Sequence, residues 1–295
     1  MRYWKLNIVF ICLLSMHHFL LANSFQENYF KPENMLRFAE HLYEEGDYIR
    51  AAAEFQRYLY YFDMLPPESD LIFYKIGLCY RLGEDLKKSI EYFQKIIDNY
   101  PQSNYLNDSF YQIGYSYFFL GKYRESISFL NDNLPHIRSN PKMLKMKQLI
   151  GLNYIYQKQW SKATDFFYSL KNNEKSDSFT ASLMSFAEQG QQLPRKSAFL
   201  AGLLSAFVPG AGKMYCHRTT DGLFSLLTIG LTGWQAYEGF RKDGVNSVKG
   251  WIYGTISAFF YLGNIYGSVV AVNIYNQQLE DKLLSKVGVT INVSF

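Results

Sequence analysis

The chain is poor in the residues that carry covalent chemistry, with 3 cysteines and 5 histidines in 295 residues. Cys12 falls in a leading apolar segment, which leaves Cys79 and Cys216, too few for a disulfide framework. Cys79 lies on a helical pattern and reads as a small buried side chain. Outside the leading segment His41, His136 and His217 are far apart and lack metal-ligand spacing. G-x-S-x-G, H-E-x-x-H and the dinucleotide-binding glycine fingerprint are all missing. The run Gly210-Ala-Gly-Lys213 is no phosphate loop, because Phe207 stands where the first glycine belongs and Met214 follows the lysine. Glu44, Glu45 and Asp47 sit where a helix ends, the normal place for solvated charge. No enzyme, cofactor or metal is expected. Charge of one sign is also scarce: 30 basic residues against 26 acidic give a net charge of +4. No basic run interleaved with aromatics occurs, so nucleic acid is excluded as a partner.

Aromatics and internal repetition are what the chain has instead. It carries 25 Tyr and 24 Phe. Between Leu36 and Leu170 one pattern recurs: a small residue, a large one three positions on, a turn, a second small residue, and a large one four further on. The copies are Ala39, Leu42, Ala51, Phe55; Gly77, Tyr80, Ser89, Phe93; Gly114, Tyr117, Ser126, Leu130; and Gly151, Tyr154, Ala163, Phe167. The two small residues are 12 apart in each, and successive copies are offset by 38, 37 and 37 residues. Within a copy the apolar residues fall at i, i+3, i+4 and i+7, one face of a helix. Gly46, Gly83 and Gly121 stand where a first helix would end. Repetition at a fixed period predicts a solenoid, and a solenoid offers a binding surface rather than a reaction centre.

These copies resemble the tetratricopeptide repeat. The second is the fullest, with Phe73, Ile76, Gly77, Tyr80, Ser89, Phe93 and Pro101. The third reads Phe110, Ile113, Gly114, Tyr117, Gly121, Tyr123 and Ser126, and the fourth Ile150, Gly151, Tyr154, Trp160, Ala163 and Phe167. The first lacks the leading aromatic and has Ala39 for the glycine. Copies three or four residues longer than usual imply extended turns between repeats. The resemblance implies paired helices stacked over residues 25–193, with 178–193 as a capping helix, and a scaffold for protein–protein contact.

Targeting and membrane signals flank the repeats. Arg2 and Lys5, the apolar run Leu6–Met16 and the small residues Ala22 and Ser24 read as a secretory signal over 1–24. Beyond Leu193 the stretches 197–212, 222–237 and 250–279 carry no charge. The last is long enough to span a bilayer, the second is marginal, and Pro209, Gly210 and Gly212 break the first into a hairpin or re-entrant segment. Gly250/Gly254 and Gly263/Gly267 are G-x-x-x-G pairs, suited to close helix packing in lipid. Asn264 is expected to bond a neighbouring helix and Asn273 to lie at an interface. The run Pro209-Gly-Ala-Gly-Lys-Met-Tyr215 resembles a P-G-x-G-x-x-Y membrane-hairpin module of bacterial envelope proteins, which implies membrane insertion over 194–280. Lysines and arginines flank every uncharged stretch, so orientation stays open. In 281–295, Val287, Val289, Ile291, Val293 and Phe295 alternate with polar residues or glycine, a pattern predicting a terminal strand that rests on the domain or adds to a partner sheet.

The expected fold is therefore all-α, a helical-hairpin solenoid followed by a small transmembrane or re-entrant helical module. If one face of each first helix is core, the other presents Glu40 and Tyr43, then Tyr74, Leu78 and Arg81, then Tyr111, Tyr115 and Phe118, and finally Gln148, Leu152 and Tyr156. Such a row either binds a peptide or partner helix or packs on the chain's own elements. The expected role is an exported, membrane-anchored scaffold gathering envelope proteins, with membrane lipid as its other partner and the repeats on the periplasmic side. The rival is a membrane module handling lipid, small molecule or ion, with the repeats regulating it.

Overall fold

The computed structural model describes residues 31–61, 66–137, 140–173 and 177–294. The expected signal segment and Phe295 lie outside the described residues. Thirteen α-helices and two short 3-10 turns, with no strand, make up the described chain. Backbone contacts divide it into two units that part between Gln157 and Lys158.

The first unit holds α1 (Pro32–Glu44), α2 (Tyr48–Tyr60), α3 (Ser69–Leu82), α4 (Leu86–Asn99), α5 (Leu106–Phe119), α6 (Tyr123–Asn133) and α7 (Asn140–Tyr156). Helices pair in sequence order, and each pair packs on the next through α2 with α3 and α4 with α5. The small residues explain the pairing. A Cβ on Gly77 would meet the Phe93 ring at 2.7 Å, and one on Gly114 would collide with Leu130. In the second and third copies the large residue of the second helix thus fills the notch left by the glycine of the first. Ser126 adds polarity to that seam: its hydroxyl donates to the Gly114 carbonyl at 2.8 Å and accepts from Asn153 Nδ2 at 2.9 Å. Phe55, Phe93, Ile76, Ile96 and Ile113 are fully buried along the stack.

α1, α3 and α5 end in the same wrapped turn. The amide of Asp47 donates to Leu42, that of Asp85 to Tyr80, and that of Lys122 to Tyr117, at 2.8–2.9 Å. An inner bond runs from Gly46 to Tyr43, Glu84 to Arg81 and Gly121 to Phe118. This pair of bonds needs a left-handed residue, and Gly46, Glu84 and Gly121 supply it, with φ of +83°, +65° and +71°. Gly83 sits one place earlier with ordinary φ. Its lack of a side chain serves packing instead, because a Cβ there would lie 2.7 Å from Ile49. Asp47 and Asp85 then cap the next helix, accepting from the amides of Arg50 and Lys88.

The second unit holds α8 (Trp160–Asn173), α9 (Ser178–Gln191), α10 (Ala198–Phe207), α11 (Ala211–Tyr215), α12 (Thr219–Asp243) and α13 (Val248–Ser294). The Trp160 indole lies directly over Gly190, closing α8 onto α9. α13 runs 47 residues without a break. The expected terminal strand is therefore corrected: residues 281–294 continue this helix. The buried residues of that stretch, Leu283, Val287 and Ile291, recur every four positions, a helical rather than a two-residue period. Ion pairs anchor this part of α13. Glu280 binds Lys158 at 2.9 Å and Arg195 at 2.9 Å. Asn276 exchanges two hydrogen bonds with the backbone of Lys196.

The α10–α13 assembly exposes large apolar side chains and buries several polar ones beside a small apolar cluster of Ala201, Cys216, Ala271 and Val272. Phe199, Phe207, Phe224, Leu231, Trp234, Trp251, Phe259 and Tyr266 are each more than half exposed, while Ser205, Ser268 and Asn264 are buried. The Ser205 and Ser268 hydroxyls share a 2.7 Å hydrogen bond. Asn264 accepts from the Gly210 amide at 3.1 Å and donates to the Ser205 carbonyl, the neighbouring-helix bonding its sequence position implies. The chain breaks at Pro209–Gly210, where Gly210 has a φ of +87° and lies against the Gly222 backbone. Val248–Ile291 is long and apolar enough to cross a membrane.

Candidate binding face

α1, α3 and α5 bury Ala39, Gly77 and Gly114, and the row of half-buried side chains runs along the flank beside them, at i−3, i+1 and i+4 from these small residues. Across α1 and α3 this side forms a cavity of about 340 Å³, lined by Glu40, Tyr43, Tyr74, Lys75, Leu78 and Tyr105 among others. Four of these, Glu40, Tyr43, Tyr74 and Leu78, are residues of the predicted row. Glu40 is ion-paired with Lys75 of the following repeat. Tyr74 stacks on Tyr105 at 4.9 Å and tilts onto Phe93 at 5.5 Å. Tyr43 meets Tyr48 edge-on at 5.6 Å.

Further along, the Arg81 guanidinium lies 5.3 Å over the Tyr115 ring, a cation–π contact. Tyr115 touches Tyr111 at 5.9 Å and the half-exposed Phe119 at 4.5 Å. Three polar atoms here are buried without a hydrogen-bond partner: Tyr111 Oη, Gln112 Oε1 and Arg81 Nε. Burial raises the phenol pKa of Tyr74, Tyr111 and Tyr115, and at each the Arg81 charge works in the opposite direction. At neutral pH these phenols are therefore uncharged hydrogen-bonding groups. The Tyr111 hydroxyl, buried without a partner, carries a free-energy penalty that a bound donor or acceptor would relieve.

The rest of the row is placed differently. Phe118, Gln148 and Leu152 are buried, at 6 %, 4 % and 1 % exposure. Phe118 is covered in part by Tyr156, edge-on at 4.9 Å. The half-buried part of the row is thus Glu40, Tyr43, Tyr74, Leu78, Arg81, Tyr111, Tyr115 and Tyr156. Lys75, Tyr105, Gln112 and Phe119 join it without having been legible in the sequence. Gln112 and Phe119 each follow a buried or face residue by one position, where a helical wheel alone leaves orientation open. Tyr105 stands just before α5 and reaches the site only through the turn.

The G-x-x-x-G residues of α13 also separate. A Cβ on Gly250 would meet the Phe240 ring at 2.8 Å, and Gly254 lies in ordinary contact with Ala236 and Phe240. Gly267 is crossed by the Lys213 side chain at 3.3 Å, and Gly263 has nothing within 4 Å of where a Cβ would stand.

Models of the tetratricopeptide repeat family match residues 72–103 and 108–132, the second and third copies. These segments are tetratricopeptide repeats. The matched residues carry Tyr74, Leu78, Arg81, Tyr111 and Tyr115, so the best-formed part of the face lies on repeats that the family description covers. Among solved structures, the C-terminal part of a TPR repeat-containing protein from Cytophaga hutchinsonii is similar, at 16 % identity over 88 % of this chain and 90 % of that one, with a TM-score of 0.47. No curated protein matches significantly. Tetratricopeptide repeats commonly serve protein–protein contact, the activity that a face of this composition suits.

Proposed function

We propose that this chain is an exported, membrane-anchored scaffold that holds a segment of a partner protein on the first-helix face of its repeats. It acts without catalysis of its own, in a bacterial cell envelope, with the repeats on the periplasmic side. The observation that carries the binding role is the set of buried, unpartnered atoms on Tyr111, Gln112 and Arg81, beside the cavity that Glu40, Tyr74 and Leu78 line. An extended peptide presents backbone donors and acceptors at a spacing that such a row can meet, while the ring faces of Tyr74 and Tyr115 take its side chains. The anchoring role is supported by the α10–α13 assembly, whose exposed aromatics and buried, mutually bonded serines suit lipid better than water.

Tyr111→Phe and Arg81→Ala test this in intact cells, with a photo-crosslinking side chain at position 78. The parent chain is expected to give discrete adducts. Tyr111→Phe removes only an unpaired buried hydroxyl and should leave the melting temperature unchanged or raise it while adduct yield falls. Adducts of undiminished yield in both variants, or the same adducts from a probe at the exposed Arg50 on α2, would sink the reading.

A further inference from the structure

A second cavity, of about 310 Å³, opens between α12 and α13 and has no part in the peptide-binding face. Its walls are Phe224, Ile229, Phe259 and Phe260, and Lys213, Ser225 and Thr228 stand in it. The Lys213 stem crosses Gly267, which has no side chain to obstruct it, and its ammonium donates to Ser225 Oγ at 2.8 Å. One bond leaves two of the three donors of an ammonium to be met. Among the described residues no carboxylate pairs with it. The acid nearest in sequence, Asp221, is held instead by Arg218 at 2.6 Å. A positive charge surrounded by exposed phenylalanines is expensive in a bilayer unless an anion joins it.

We propose that this cleft binds one anionic phospholipid, its phosphate on Lys213 and Ser225 and an acyl chain along Phe224 and Phe259. The proposal rests on the membrane reading above. Basic pockets between membrane helices favour anionic headgroups for the same electrostatic reason. Gly263 contributes by leaving open space: a leucine there would fill the cleft without displacing packed atoms.

The full-length protein in an uncharged detergent, titrated with phosphatidylglycerol or phosphatidylcholine and read by native mass spectrometry, tests it. The parent chain should bind one phosphatidylglycerol at least about tenfold more tightly than phosphatidylcholine, the scale of a charge-assisted hydrogen bond. Lys213→Gln should erase the preference, Lys213→Arg should keep it, and Gly263→Leu should weaken lipid binding with the lysine intact. The Gly263→Leu arm stands alone if Lys213→Gln fails to fold. Undiminished phosphatidylglycerol binding in Gly263→Leu, or in a folded Lys213→Gln, overturns the site. Displacement of the lipid by equimolar inorganic phosphate overturns the lipid as its occupant. Alkaline carbonate washing of membranes reads the anchor separately: release of the parent chain defeats the membrane reading, whereas retention of all variants with unchanged lipid preference defeats only the headgroup site.

Discussion

At Gly77 the missing side chain is the contact. With a Cβ 2.7–2.9 Å from three carbons of the Phe93 ring, Gly77→Ala forces that buried ring aside and should cost about 1–3 kcal/mol in thermal or urea unfolding. Phe93 is fully buried and has little room to yield. The left-handed positions give a prediction of opposite sign. Glu84 holds φ +65° where Gly46 and Gly121 occupy the matching place, so Glu84→Gly should raise stability by up to about 1 kcal/mol. Lys158 also has a left-handed φ, +59°, but it binds Glu280 and Asp281. Lys158→Gly trades that relief for lost ion pairs and should show no such gain. Equal increments in the melting temperatures of the two variants would contradict this. Cys79 is a matching case in chemistry, its thiol pushed up to about 12 by burial. It should resist iodoacetamide at pH 8 in the folded chain and react once the chain is unfolded.

At the level of elements, the repeat phase was legible because small and large residues recur at fixed offsets and each offset corresponds to one packed seam. The turns were legible in two copies through glycine and obscured in the second, where Gly83 marks a helix contact and Glu84 takes the strained angle. The outward face was only half legible. Phe118 stands four residues after Gly114, on the same side of the helix, and is closed over by Tyr156; Gln148 and Leu152 are buried by neighbours that a helical wheel does not include. The strand expectation failed for a related reason. Val287 to Ile291 alternate with glycine and threonine, yet they continue a helix that already has more than thirty residues behind it, and propagation costs far less than nucleation. Val287→Asp would put a carboxylate at a position with no exposure. It should lower the stability of the second unit by about 3 kcal/mol or more, and amide exchange should accelerate through residues 276–291. Unchanged exchange there would mean that this stretch of α13 is not packed as described.

For the whole molecule, the two units predict two behaviours. Residues 31–157 contain every described residue of the first unit and should remain soluble and helical when expressed alone, while the full chain stays with membranes after carbonate washing. A soluble full chain would remove the anchor. The first unit should also be sensitive to alkali. Burial raises the pKa of Tyr43, Tyr74, Tyr111 and Tyr115, and burial with a hydrogen bond to Glu68 pushes Tyr58 up to about 12. These phenols ionise more readily in the unfolded chain. The stability they contribute is fully present below about pH 10, the ordinary phenol value, and is lost as pH rises toward 12. Urea midpoints of the 31–157 fragment should fall across that window, and a flat profile would place these tyrosines in water.

An unbroken rod has nowhere to absorb a twist. The 47 residues of α13 reach about 70 Å at the rise of an α-helix. One end carries exposed Trp251 and Phe259. The other is clamped by Glu280 to Lys158 and Arg195 and packs beside α9. If α13 crosses a bilayer as proposed, thinning or thickening of that bilayer changes the tilt of the helix, and the continuous helix carries that tilt to the α8–α9 pair as torque.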